Sequence, residues 1–167
     1  MAELTTRERL QPSLLDRLTD DAPNERVESR DRRVMSMRQL RAAVLRDLEW
    51  LLNAGCRPVA DEIYDFPLVA KSVINYGMPD MAGLAAAGIT QNSVEKMVQD
   101  AILNFEPRIT ASTLRVVAIA GEGSESDSHV GFQISGELCP LPMPEALFVK
   151  TSVDLDTGRC EVKEGQQ

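Results

Sequence analysis

Few residues in this chain combine types and spacing suited to chemistry. Glu106-Pro107-Arg108-Ile109 sets an acid and a base on either side of a proline. Pro107 restricts the backbone, so less freedom is lost when both charges are engaged. Arg108 has the planar fork for a carboxylate or for exposed helix carbonyls, and Glu106 can accept from backbone N–H groups. Two readings stand: a helix stop with a local ion pair, or a stiff charged corner presented to a partner. A third makes Glu106 a glycosidase acid, which needs a second carboxylate about 5–9 Å away across a sugar cleft. Asp100 and Asp80 are the candidates, but aromatic residues make up only 4% of the chain.

Other motifs carry less. Asp156-Thr157-Gly158 spells the aspartic-protease triplet, but it lies between two strand patterns and a hairpin turn explains it. Gly121-Glu122-Gly123 is followed by Glu125 and Asp127 and by no helix start, so a phosphate cradle is not expected. His129 has no partner nearby in sequence. A single histidine cannot build a multi-His metal site, and Cys56, Cys139 and Cys160 lack CxxC spacing. No metal and no cofactor are expected, and the cysteine usage suits a reducing cytosol.

The elements that hold these residues follow from periodicity. Leu10, Leu14, Leu15 and Leu18 give a short amphipathic helix, with Ser13 as cap. The polar run from Asp20 to Arg33 reads as a tether. Ser36 caps a helix from Met37 to Leu52, and Pro67 opens a short helix through Val73 and Ile74. Met81 to Ala87 suits a further turn or two. Val94, Met97, Val98, Ala101, Ile102 and Phe105 form one apolar stripe that Pro107 ends. The period then switches to two, over Leu114–Ala120, Val130–Leu138, Leu147–Leu155 and Gly158–Val162. The fold expected is α+β, with N-terminal helices packed on a C-terminal antiparallel sheet of three to four strands. Residues 1–34 form the short helix and linker, and 35–167 form a single domain.

The chain has 167 residues and a formal net charge of -8. Residues 121–167 hold 3 basic and 9 acidic groups, so most of the charge sits there. Such acidity disfavours nucleic acid and anionic membrane surfaces. No apolar run reaches the roughly 18 residues of a membrane span, and the N-terminus lacks a secretory signal pattern. A cytoplasmic location is expected.

Three segments then carry a resemblance: Leu10-Gln11-Pro12-Ser13-Leu14-Leu15-Asp16-Arg17-Leu18, Ser72-Val73-Ile74-Asn75-Tyr76-Gly77-Met78-Pro79-Asp80, and Phe105-Glu106-Pro107-Arg108-Ile109. In this order, with a β-rich end after them, they resemble the TssE family of type VI secretion baseplate subunits, related to the contractile-phage wedge proteins often labelled lysozyme-like. The resemblance implies a non-enzymatic structural role beside the wedge proteins TssF and TssG, with TssK as a further neighbour. It also implies initiation of contractile sheath assembly, with TssB/TssC sheath subunits joining by strand addition. The family's Glu-Pro-Arg corner packs on a helical bundle of the wedge, which maps onto Glu106, Pro107 and Arg108. Leu14, Leu15 and Leu18 are candidates to dock in a partner groove; their other reading is packing on their own domain.

Overall fold

A computed structural model describes residues 12–19, 23–24, 35–58, 61–79, 91–120, 129–138, 145–154, 157 and 159–165. Leu10, Asp80, Met81 to Ala87, the Gly121-Glu122-Gly123 loop, Cys139, Asp156, Gly158 and most of the expected tether lie outside these residues.

Helix α1 is Leu14–Leu18 and α2 is Met37–Asn53. The start of α2 is doubly fastened. Ser36 Oγ accepts the Gln39 N–H at 3.3 Å, and the Gln39 side chain accepts the Ser36 N–H at 2.9 Å. A 3-10 turn (Glu62–Asp65), helix α3 (Pro67–Ala70) and a second 3-10 turn (Val73–Asn75) follow. The expected single helix after Pro67 is thus broken, because Ser72 caps a new turn by accepting from Ile74 N–H. Helix α4 is Gln91–Phe105.

Strands β1 (Arg115–Ala120), β2 (His129–Leu138), β3 (Glu145–Asp154) and β4 (Cys160–Glu164) pair antiparallel in sequence order. The fold is α+β, with helices first and a four-stranded antiparallel sheet last. Along β3, Leu147, Val149, Thr151 and Val153 are buried while Ala146, Lys150 and Ser152 face solvent. The buried face meets Leu40, Val44, Leu48 and Leu51 of α2 and Val98 and Ile102 of α4 in one core. Each such side chain contributes about 1.5–3 kcal/mol on burial.

Candidate functional site

Helix α4 delivers the Glu106 corner. Glu106 N–H still donates to Ile102 C=O at 2.8 Å, closing the last helical turn. Glu106 C=O then accepts from Ile109 N–H at 3.2 Å, a tight turn with proline at its second position. The corner is therefore a β-turn fused to a helix end, and Pro107 at its tip is exposed.

Its two charges are engaged with each other. Glu106 is 4% exposed. One of its carboxylate oxygens accepts from Arg108 Nε at 2.6 Å and from the Arg108 main-chain N–H at 3.2 Å, and the other accepts from Arg108 Nη2. Arg108 Nη2 also donates to Asp47 Oδ2 of α2 at 2.6 Å. Burial alone would lower the guanidinium's pKa, but the bonds and charges of Glu106 and Asp47 outweigh it and hold it above the ordinary arginine value. The corner thus holds the local ion pair its sequence allows, within a turn whose proline tip is exposed.

A glycosidase acid must carry a proton and face a sugar. Both oxygens of Glu106 instead accept from a permanently charged arginine. Asp100 is exposed and has no hydrogen bond or ion pair to Glu106. Asp80, the other candidate second carboxylate, lies outside the described residues, and Glu106 as placed serves the ion pair. Among the described residues no group of three or more His, Cys, Asp or Glu is placed to hold a metal ion. None of their helices is long and apolar enough to cross a membrane.

The Asn75-Tyr76-Gly77 motif braces the corner from behind. The Tyr76 ring meets Phe105 edge-on, with centroids 5.2 Å apart. Burial, with the nearby charges of Asp47 and Glu106, pushes the Tyr76 hydroxyl's pKa up. Gly77 has φ of 122°, and a Cβ there would lie 2.3 Å from Ala54 O, so only glycine fits. Buried Asn75 accepts from Arg57 N–H and donates to Ala70 C=O, both at 2.9 Å, tying down the segment that carries α3.

Leu14, Leu15 and Leu18 stay outside the hydrophobic core. They are 70%, 45% and 74% exposed, and no residue of α1 is buried. Helix α1 is fastened instead by its polar side, where Arg46 Nη1 of α2 donates to Asp16 Oδ1 at 2.7 Å. Hydrogen bonding to Arg46 lowers the Asp16 pKa below the usual carboxylate value. Sequence reasoning passed over Arg46 and Asp47. On a helix they read as ordinary surface charges, and the only signal for them is their place off the apolar stripe of α2.

A family model described as "Baseplate wedge protein gp25" matches residues 38–139, more than half of the chain. The chain belongs to that family. The baseplate wedge match spans α2, the Asn-Tyr-Gly motif, α4, the Glu-Pro-Arg corner, β1 and β2. No curated protein and no solved structure matches. Membership of this structural baseplate family is in keeping with a corner whose acid is engaged by an arginine.

Proposed function

We propose that this protein is a non-enzymatic, TssE-type subunit of a cytoplasmic type VI secretion baseplate, joining the wedge proteins TssF and TssG beside TssK and initiating the contractile sheath. The observation that carries this reading is the preset Glu106-Pro107-Arg108 turn in a wedge-family chain. Its charges are oriented before any partner arrives, so docking costs little ordering. The Arg108 side chain, 24% exposed, offers its guanidinium to a partner carboxylate or helix end, while Glu106 holds it in register.

Sheath subunits of the TssB/TssC type would join by adding a strand at the edge of β4. Beside β1, α4 takes one outer main-chain group of the strand and one just ahead of it: Glu95 accepts the Ala118 N–H at 2.7 Å, and Gln99 donates to Leu114 C=O at 3.3 Å. On β4 the Asn53 amide pairs both ways with Cys160, at 2.8 and 2.9 Å. The register turns Val162 and Glu164 outward as well, and no main-chain partner takes them among the described residues. Two consecutive open positions can start a ladder.

The test is co-expression with TssF and TssG. Replacing the pair together (Glu106→Leu with Arg108→Met) leaves no orphan charge and is expected to keep the fold. Recovery of the wedge on the tagged variant should fall at least fivefold. Equal recovery would remove the corner from the interface.

A further inference from the structure

Charged side chains from three parts of the fold stand in one unbroken line of alternating sign. Glu106 accepts from Arg108, and Arg108 Nη2 donates to Asp47 Oδ2 at 2.6 Å. Asp47 Oδ1 accepts from Arg46 Nε at 2.9 Å, and Arg46 Nη1 donates to Asp16 Oδ1 at 2.7 Å. Ser13 Oγ, ahead of α1, closes the line on Asp16 Oδ2 at 2.7 Å. Its two ends are the leucine helix and the Glu-Pro-Arg corner.

Asp47 stands at the centre, with a different carboxylate oxygen toward each arginine. Arg46 is steered from two sides: Asp47 chelates its Nε edge, and the Trp50 ring lies 5.0 Å from its central carbon. Its Nη1 is left aimed at Asp16. That bond is the tie of α1 to the domain among the described residues, since none of its leucines is buried. A lone, partly buried ion pair returns less than the ordering of five residues costs, so the preset direction of Arg46 decides whether α1 is held. Asp47→Asn keeps the size but removes the charge that both arginines share.

We propose that Asp47 is a positioning residue for both docking elements, holding Arg108 at the corner with one oxygen and, through Arg46, the leucine helix with the other. The proposal rests on the docking role proposed above for the corner and on the partner groove expected for Leu14, Leu15 and Leu18.

The experiment uses the full chain, 15N-labelled, as wild type, Asp47→Asn, Asp47→Glu and Arg46→Met. In Asp47→Asn the amide signals of residues 14–19 and the Arg108 Nε–H signal should lose at least half of their offset from random-coil positions. Signals of Phe132 and Val149 in the sheet should stay, and Asp47→Glu should restore part of the α1 offset. If α1 signals move in Arg46→Met but not in Asp47→Asn, the tie is local and Asp47 positions nothing. If they move in neither, α1 is held by other means and the proposal fails too. The same Asp47→Asn chain is then co-expressed with the wedge proteins, where recovery should drop at least fivefold. Unchanged recovery with a loosened α1 would uphold the positioning role and sink the docking role.

Discussion

At Glu106 a carboxylate sits almost wholly out of water with one arginine as its charge partner. Removing Arg108 leaves Glu106 buried with no charge partner, and removing Glu106 leaves Arg108 with Asp47 alone. Glu106→Ala or Arg108→Ala should therefore lower stability by about 3 kcal/mol in urea unfolding, while the apolar double replacement should stay within about 1 kcal/mol of wild type. Equal losses in single and double variants would show that the pair is not coupled. Burial of Glu106, which the sequence does not display, is what makes a single alanine change costly here. Gly77→Ala belongs at the same scale. Its Cβ would meet backbone, which cannot swing aside, and the residue would keep a positive φ. The loss should be about 2–4 kcal/mol, and a change below about 0.5 kcal/mol would contradict the tight approach to Ala54.

Elements divide into those legible in the sequence and those whose orientation is not. The 3.6-residue stripes and the Ser36 and Pro107 signals place α2 and α4 within a residue or so, and strict alternation places β2 and β3. The leucine stripe of α1 is equally visible, but a stripe does not say what covers it. Arg46 and Asp16 decide that, 30 positions apart, and Arg108 and Asp47 meet across 61. No local pattern carries such pairings. The strand edges depend on equally distant contacts, since Glu95, Gln99 and Asn53 reach them from helices. Two expectations follow at this scale. Because the leucines are exposed, Leu14→Ala with Leu18→Ala should change stability by less than about 0.5 kcal/mol, yet reduce wedge recovery. A loss near 2 kcal/mol would mean that they pack on the domain after all. Val162→Pro removes an outward N–H on an edge strand, where proline is tolerated. It should keep the melting temperature within a few degrees and abolish sheath initiation, whereas Val116→Pro on β1 should leave initiation intact. The reverse pattern would move strand addition to β1.

The whole molecule is a sheet with one face closed by two long helices, and its charge is distributed to match. Most of the net charge falls within residues 121–167, the stretch of sequence that also holds β4, and such acidity favours a basic partner face. That same region carries a pH liability through Cys160, which is buried under α2 and held on its main chain by Asn53. Burial first, then the charges of Glu49 and Glu161, push its thiol from 9.0 up to about 12. Below about pH 9 the thiol is protonated in both folded and unfolded chains, and its titration leaves stability unchanged. Between about 9 and 12 the unfolded chain sheds a proton that the folded one keeps, so stability must fall as pH rises. At about 1.4 kcal/mol per unit the full effect approaches roughly 4 kcal/mol. Tyr64 and Tyr76 are also shifted upward by burial and add their own alkaline slopes, so the informative quantity is a difference between proteins. Cys160→Ala should be less stable than wild type at pH 7.5, because a packed side chain is shortened, but the gap should narrow by about 2 kcal/mol at pH 10.5. A constant gap for Cys160→Ala across this range in urea unfolding would mean that water reaches the thiol and that the sheet does not close over it beneath α2.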